Sequence, residues 1–229
     1  MSRTFVIGDI HGAYRALRQC VEQSSMKDDD HLICLGDVCD GWPETKSCVD
    51  YLLQLKKVTY ILGNHDLWLY DWMLSGKSEG IWLTQGGDAT VKSYADGVPL
   101  THVNFFQKAL PYFIENNRLF VHAGIDPGQP IEQQGLDTFL WDRSLVQQAM
   151  ELYNLKINRR LTTFDEVYVG HTPILSKQPI KACGIWMMDT GAGWSGVLSM
   201  MNVETKDTFT SDPVTTLYPG VEGRKPKGV

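Results

Sequence analysis

The sequence predicts an α/β fold with parallel strands, and three observations lead to that prediction. Short apolar runs recur along the 229-residue chain, a polar loop with glycine ends each of them, and an amphipathic helical pattern follows the first two. We expect these runs to be strands: residues 4–7, 31–35, 58–62, 118–121 and 166–169. Ligands of such sheets bind beyond the carboxyl ends of the strands, so the polar loops mark the expected site.

The helices between these strands are predicted from their periodicity. After the first strand, Tyr14, Leu17 and Val21 form one apolar face of a helix from 13 to about 23. A second helix with an apolar face is expected after Pro43. Strand, polar loop, helix and strand in succession are typical of a parallel α/β sheet.

The rest of the chain predicts helix and loop from about 67 to 117, and short antiparallel strands from about 184 to 210. Within the first of these regions, His102 is expected at the surface or as a helix cap. Three tryptophans are expected to pack in the core rather than to line a substrate groove: Trp42, Trp68 and Trp82. We expect one domain over 1–220 and a flexible tail over 221–229, which carries the one Arg/Lys cluster.

The composition restricts the class of function. With a formal net charge of −6, the chain lacks the basic field that favours nucleic acid, so no nucleic-acid binding is expected. No apolar run approaches the roughly 20 residues of a membrane helix, and the first strand begins too close to Met1 for a signal peptide. Five cysteines without zinc-type spacing suggest reduced, buried thiols. These features together predict a cytoplasmic protein.

The polar loops offer six side chains that could bind metal: Asp9, His11, Asp37, Asn64, His122 and His171. Each loop alone is also typical of a turn or a capped helix start, and either lone histidine could be a core residue. Their recurrence after five apolar runs, all delivered to one edge, favours a site. Carboxylate, imidazole and amide oxygen together suit Mn²⁺, Fe²⁺ or Zn²⁺ better than Ca²⁺.

A dinuclear centre needs a shared ligand between ions about 3.5–4 Å apart. One division of the ligands assigns Asp9 and His11 to the first ion and Asn64, His122 and His171 to the second, with Asp37 shared. A hydroxide between the ions would be the nucleophile. His65 is left free of the metals, and it could protonate the leaving oxygen while Asp40 orients its ring and raises its pKa.

These loops, in this order, resemble the motifs of the calcineurin-like metallophosphoesterase superfamily. The segments concerned are 8–12, 36–40, 63–66, 121–124 and 170–172, and the likeness spans nearly the whole chain. More narrowly the chain is similar to bacterial phosphoprotein phosphatases, a branch that includes serine/threonine phosphatases and diadenosine tetraphosphatases. The resemblance implies a four-layer αββα fold, which is a β-sandwich flanked by helices, with two metal ions. It also implies that Arg143 and Asn64 bind the substrate phosphate.

Two departures from the family pattern affect the expected chemistry. The family has an arginine after the aspartate equivalent to Asp40, whereas this chain has Gly41. The missing guanidinium would bind phosphoryl oxygens, and the candidates to replace it are Arg143, Arg15 and Lys46. The second departure is Asp66 where phosphoprotein phosphatases have glutamate, and we expect its carboxylate to orient the ligands. The presence of Asp40 argues against a diadenosine tetraphosphatase.

The sequence therefore predicts a hydrolase of phosphoric monoesters, with a phosphorylated protein or a small phosphoester as substrate. The expected activity is that of a serine/threonine protein phosphatase with two divalent ions, manganese in the first place and iron or zinc as alternatives. Because an arginine is missing at Gly41, a phosphodiesterase or nucleotide hydrolase of the same superfamily is the alternative. A phosphoprotein-binding scaffold without activity is a third hypothesis.

Overall fold

Two five-stranded sheets form the centre of the protein, and the computed structural model describes residues 2–224. The first sheet contains β1 Thr4–Ile7, β2 His31–Cys34, β3 Val58–Tyr60, β9 Ser199–Asn202 and β10 Thr208–Thr210, in the order β10-β9-β1-β2-β3. The second contains β4 Tyr112–Glu115, β5 Arg118–Val121, β6 Glu166–Val169, β7 Ile180–Ala182 and β8 Ile185–Met187, in the order β4-β5-β6-β8-β7.

Both sheets are mixed, and each contains three adjacent parallel strands. In the first sheet β1, β2 and β3 run parallel, and β9 and β10 add an antiparallel edge. In the second sheet β5, β6 and β8 run parallel, and β4 and β7 pair antiparallel at the two edges. The prediction of one parallel sheet was therefore wrong, whereas the β-sandwich that the family resemblance implied is confirmed.

Helices cover the outer faces of the two sheets and form most of the middle region. The α-helices are α1 Tyr14–Ser24, α2 Thr45–Gln54, α3 Asn64–Ser75, α4 Gly80–Trp82, α5 Asp88–Ser93, α6 Leu100–Gln107, α7 Leu136–Trp141, α8 Ser144–Asn154 and α9 Val214–Leu217. A π-helical turn spans Leu83–Gly87, and a 3₁₀ turn spans Ile131–Gln133. In the described part of the chain, no helix has the length and apolarity needed to cross a membrane.

The alternation of side chains along the strands produces the four layers. Along β1, Phe5 and Ile7 pack in the cluster under α1 and α2, while Val6 points into the space between the sheets. Along β5, Leu119 belongs to the cluster under α7 and α8, while Phe120 meets the first sheet's apolar face. Because both faces of each central strand are buried, the fold has three apolar layers between four layers of structure. The predicted αββα architecture is confirmed.

Three local predictions differ from the structure or agree only in part. The region predicted as helix and loop contains β4, which is stabilised as a strand by antiparallel pairing with β5, just beyond that region. His102 is buried rather than exposed, since its ring lies between the hydroxyl of Tyr94 and the carboxylate of Asp50. Trp42 and Trp82 are fully buried, as predicted.

Candidate metal centre

Five strand ends meet in one cleft where the two sheets come together. The first sheet supplies the loops after β1, β2 and β3, and the second supplies those after β5 and β6. These loops carry the eight side chains that were predicted for metal binding and proton transfer, and none is more than 7% exposed: Asp9, His11, Asp37, Asp40, Asn64, His65, His122 and His171. The site therefore lies between two sheets, and not along one edge of a single sheet.

Hydrogen bonds at the cleft connect the two sheets directly. The carboxylate of Asp9, after β1, accepts the backbone N–H of His171, after β6, at 3.0 Å. The Nδ1 of His122, after β5, lies 2.7 Å from the carbonyl oxygen of Leu35, at the end of the β2 segment. Gly170 has no room for a side chain, because a Cβ there would lie 2.1 Å from Oδ1 of Asp9. The relative position of the two sheets at this point is thus fixed by the site residues themselves.

The potential ligand atoms form two groups that share one carboxylate. Asp9, His11 and Asp37 make up the first group, and Asp37, His122 and His171 the second, with the atoms of each group within 4.8 Å of one another. Oδ2 of Asp37 lies 3.8 Å from Nε2 of His11 and 3.5 Å from Nε2 of His122. A carboxylate in this position can bridge two cations.

The imidazoles are oriented as metal ligands would be. The Nδ1 atoms of His11 and His122 face the carbonyl oxygens of Cys39 and Leu35, so they carry the protons and donate, which leaves each Nε2 lone pair directed into the cleft. Nε2 of His122 lies 3.0 Å from Oδ1 of Asn64, so two acceptors face each other. Nε2 of the buried His171 has no hydrogen-bond partner. Divalent cations satisfy all of these atoms, and the residues present fit two ions.

Burial opposes charge on the acidic and imidazole groups that could bind metal. It raises the pKa of Asp9, and it raises the pKa of Asp37 to about 6. It lowers the pKa of His122 to about 4 and that of His171 to about 2, so these rings are neutral near pH 7. Ionised carboxylates and neutral imidazoles are the forms that bind a cation, which would compensate the buried negative charge.

Asp66 connects the second and third loops without facing the ligand groups. Its carboxylate accepts the backbone N–H groups of Asp37 and Gly63 at 2.8 and 2.9 Å, and that of Val38 at 3.0 Å. The hydroxyl of Tyr60 donates to the same carboxylate at 2.8 Å. These contacts are those of a residue that orients its neighbours, as the sequence predicted for Asp66.

His65 and Asp40 form a buried pair beside the ligand groups. Nδ1 of His65 lies 2.6 Å from Oδ2 of Asp40. The indole N–H of Trp82 and the hydroxyl of Thr90 donate to the same carboxylate, at 2.7 and 2.8 Å. No sequence pattern predicted either hydrogen bond, since Trp82 was weighed only as a core residue or as part of a substrate groove. The three donors hold the carboxylate in one orientation, and with it the ring of His65.

The pKa values of this pair differ from the sequence-based expectation. Burial lowers the pKa of His65 to about 3 and outweighs the carboxylate of Asp37, which raises it, so the increase expected from Asp40 is not found. Burial likewise raises the pKa of Asp40 to about 7, against the hydrogen bonds from Thr90 and Trp82. Because the pKa of Asp40 lies near 7, the His65–Asp40 pair takes up one additional proton near neutral pH, and the two side chains share it.

Four of the site residues have left-handed backbone conformations, with φ between 50° and 71°: His11, Asp37, Asp40 and His171. For residues other than glycine this conformation costs on the order of 1 kcal/mol each. It persists here because the backbone is fixed by specific contacts, such as the bond from the N–H of Asp37 to Asp66. Strain at this place is typical of a functional site.

A cavity of about 460 Å³ opens next to the two groups. Asp37, Asn64 and His65 form its polar wall, and the guanidinium groups of Arg143 and Arg224 line it as well. The rim contains aromatic and apolar side chains: Trp68, Ile81, Trp141 and Trp194. Trp68 thus contacts the cavity, although it was predicted to pack in the core.

The three cations proposed to replace the family's arginine have different positions. Arg143 lines the cavity. Arg15 does not, because it contacts Glu44 and donates to the carbonyl oxygen of Leu217. Lys46 is paired with Asp50 on the surface of α2 at 2.8 Å.

Comparison with known proteins agrees with this geometry. The model of the calcineurin-like phosphoesterase family matches residues 2–188. The chain belongs to this family. As a calcineurin-like phosphoesterase it is a metal-dependent hydrolase of phosphoesters.

Relatives of this phosphoesterase carry two different names. It is 26% identical over 206 residues to serine/threonine-protein phosphatase 1 of Salmonella typhimurium, covering 87% of this chain and 91% of that one. It is 23% identical over 269 residues to the symmetrical bis(5'-nucleosyl)-tetraphosphatase of Pseudomonas fluorescens, covering 90% and 93%. The crystal structure of a proposed diadenosine tetraphosphatase superposes with a TM-score of 0.70 at 18% identity, covering 93% of each chain, and it supports the fold.

The calcineurin-like phosphoesterase has a cationic cavity residue, Arg224, that no sequence pattern indicated. Arg224 belongs to the segment that was predicted to be a flexible tail, and residues 225–229 of that tail lie outside the described residues. Its side chain nevertheless lines the cavity together with Arg143. The only signal in the sequence was the Arg/Lys cluster itself, and a cluster of charged residues does not indicate where in the fold it lies.

Proposed function

We propose that this phosphoesterase removes phosphate from phosphoserine or phosphothreonine in proteins, with two divalent ions and His65 as the general acid. Its similarity to a bacterial enzyme named as a serine/threonine phosphatase supports the substrate class. The observation that carries the proposal is the buried His65–Asp40 pair, at 2.6 Å, in the wall of the cavity. Manganese is the proposed metal, with iron and zinc as alternatives.

The residues that would hold the ions are those of the two groups in the cleft. Asp9 and His11 would hold one ion, and Asn64, His122 and His171 the other, with Asp37 bridging. When bound, the ions acidify a water molecule and neutralise the charge of the phosphoryl group. His11 and His122 are each fixed by a second contact, through Nδ1 to the carbonyl oxygens of Cys39 at 2.9 Å and Leu35 at 2.7 Å.

His65 would bind and deliver the proton that the leaving group needs. Its Nδ1 is engaged by Asp40, so its Nε2 is the atom left to face the substrate. When the pair holds its extra proton, Nδ1–H donates to Asp40 and Nε2–H is available to a departing oxygen. Because Trp82 and Thr90 hold Asp40 in place, the ring cannot turn away from this orientation without breaking its own hydrogen bond to Asp40.

The leaving group decides whether such an acid is useful. An alkoxide from serine or threonine is a strong base, so it leaves readily only if it is protonated as the P–O bond breaks. A nucleotide leaving from a polyphosphate is already a stable anion and gains less from an acid. A buried and doubly supported histidine therefore favours alcohol phosphomonoesters over polyphosphates.

A nucleotide hydrolase is the second candidate, and the rim of the cavity is the observation in its favour. The rings of Trp68 and Trp141 lie 5.4 Å apart between centroids, and Trp141 is 41% exposed. An exposed indole could stack on a nucleobase. The relative from Pseudomonas fluorescens is named for such a substrate.

The test compares one variant on substrates with different leaving groups. With Mn²⁺-loaded protein, His65→Asn should lower kcat about 100- to 1000-fold on a phosphoserine peptide and less than about tenfold on p-nitrophenyl phosphate. Asp37→Asn is the matched control, because losing the bridging carboxylate should reduce turnover of both substrates alike. Equal losses with His65→Asn on the two substrates would refute the acid role. A dinucleoside tetraphosphate hydrolysed faster than every phosphopeptide would refute the substrate class.

A further inference from the structure

Arg224 reaches the metal-binding cleft from the C-terminal segment. Its backbone N–H donates to the carbonyl oxygen of Gly193 at 3.0 Å, and its guanidinium carbon lies 4.8 Å from the centroid of the Trp194 ring. Nη1–H donates to Nε2 of His11 at 3.2 Å, and Nη2–H donates to Oε1 of Gln85 at 3.2 Å. The side chain is thus held along its whole length, with its charged end in the cavity.

Glycines form the passage through which this side chain runs. A Cβ at Gly41 would lie 3.0 Å from Cγ of Arg224, and a Cβ at Gly86 would lie 3.2 Å from the same atom. Both glycines have positive φ, 117° and 101°, so a side chain at either position would also strain the backbone. The position directly after Asp40 is therefore shaped to admit the stem of an arginine that comes from elsewhere in the chain.

Trp42 is the anchor of the segment that carries Arg224. The Trp42 ring is fully buried, it stacks on Tyr218 with centroids 5.0 Å apart, and its indole N–H donates to the carbonyl oxygen of Ala192 at 2.7 Å. Gly223 lies against the six-membered ring of the Trp42 indole, since a Cβ at Gly223 would be 2.7 Å from Cζ2 of Trp42. Gly41 gives the space and Trp42 the contact surface, so two consecutive residues position the segment.

The carboxylates of Asp9, Asp37 and Asp189 interact with Arg224 electrostatically, but in the described chain none of them lies at ion-pair distance from it. Among residues 2–224, neither Arg224 nor Arg143 forms an ion pair, although both line the same cavity. The Nε of Arg224 is buried and has no hydrogen-bond acceptor. A buried, unsatisfied donor on a cation indicates an anionic ligand with several oxygens, because a guanidinium binds such groups through two parallel hydrogen bonds.

We propose that Arg224 is the second cation that binds the phosphoryl group of the substrate, opposite Arg143. This inference rests on the proposed function, because it assigns a residue to the same phosphate. A metal ion on Nε2 of His11 would take the lone pair that Nη1 now contacts. The guanidinium would then turn toward the phosphoryl oxygens while its stem stays in the glycine passage. The role is one of binding, so it affects phosphate affinity more than the chemical step.

The experiment measures phosphate binding as well as turnover. In Mn²⁺-loaded protein, Arg224→Ala should weaken the affinity for inorganic phosphate about 10- to 100-fold by calorimetry and raise KM for p-nitrophenyl phosphate by a similar factor. Lys225→Ala is the matched control, because it removes one positive charge from the next position and should leave both constants unchanged. Mn²⁺ binding to the Arg224→Ala protein should be as tight as in the wild type.

Arg224→Lys and chemical rescue separate a guanidinium role from a packing role. Lysine keeps the charge but not the paired donors, so it should restore only part of the phosphate affinity. Added methylguanidinium should lower KM for the Arg224→Ala protein and leave that of the wild type unchanged. Unchanged phosphate affinity in Arg224→Ala, or a loss shared equally by Lys225→Ala, would overturn the proposal.

Failure of this inference is distinguishable from failure of the proposed function. If Arg224 does not bind phosphate, wild type and Arg224→Ala will dephosphorylate phosphopeptides with the same KM. If the substrate class is wrong, phosphopeptides will be poor substrates for both proteins, while inorganic phosphate will still bind more weakly to Arg224→Ala.

Discussion

Asp37→Asn should make the metal-free protein more stable while it removes the response to metal. Asp37 is buried between two neutral imidazoles, and the nearby Arg224 guanidinium offsets only part of the cost of burying its negative charge. An asparagine has the same shape. Its Oδ1 can still accept the N–H of His65, which now donates to Asp37 at 2.9 Å, and its Nδ2–H₂ group can donate to Nε2 of His122.

The magnitude follows from the pKa of Asp37. Burial raises this pKa from 3.8 to about 6, which corresponds to about 3 kcal/mol. Because the folded pKa is raised, the folded state loses this free energy as the pH rises from about 4 to 6, and the full loss is present at pH 7. Asparagine does not ionise, so we expect a gain of about 1–3 kcal/mol, or an increase in Tm of about 3–9 °C.

The assay is thermal unfolding in the presence of a chelator and again with Mn²⁺. With chelator the variant should exceed the wild type at pH 7.5, and the difference should shrink at pH 5, where the wild-type carboxyl is largely protonated. With Mn²⁺ the wild type should gain stability through binding, and the variant should gain much less because it lacks the bridging carboxylate. A metal-free variant that melts below the wild type at pH 7.5 would refute the reasoning.

Two further predictions concern carboxylates outside the ligand groups. Trp82→Phe removes the indole N–H that donates to Asp40 at 2.7 Å, so it should lower kcat on phosphoserine peptides about tenfold and leave KM nearly unchanged. Asp30→Asn should have the opposite effect on stability from Asp37→Asn. Burial alone would raise the pKa of Asp30, but hydrogen bonds from Arg3 and from the N–H of Lys27 lower it to about 2. Since a lowered pKa stabilises the fold above the unfolded pKa of about 4, this variant should lower Tm at pH 7 by several degrees, and its deficit should narrow as the pH falls toward 2. A deficit that is constant with pH would contradict the assignment.

The sequence could predict where each polar loop falls because a buried strand has a strong local signature. The runs ending before Asp9, Asp37 and Asn64 are apolar on both faces, and the structure has strands there. Because both faces of these strands are apolar, the existence of a second sheet could not be predicted from their pattern. When both faces of a strand are buried, its residues do not indicate which strand pairs with it, so five strand ends appeared to belong to one sheet.

Partners that are distant in the sequence account for most of the remaining errors. The ring of His102 is buried because Asp50, 52 residues away, accepts its Nε2–H. Trp82 was correctly predicted to be buried, yet its hydrogen bond to Asp40, 42 residues away, is what connects it to the chemistry. Periodicity and composition describe the surroundings of a residue within about two turns, so a bond across the fold leaves no trace in them.

The departure from the family pattern at Gly41 and Trp42 can be explained by a residue far along the chain, Arg224. In isolation, glycine after Asp40 suggests a weakened phosphate site, and tryptophan after it suggests core packing. In the structure, Gly41 leaves space for Cγ of Arg224. Trp42 stacks on Tyr218 and contacts Gly223. An arginine adjacent to Asp40 would be held by the loop itself, whereas Arg224 is held only as long as its segment is docked on Trp42. If Arg224 binds the phosphoryl group as proposed, phosphate binding is coupled to the docking of the C-terminal segment, since each is favoured when the other is complete.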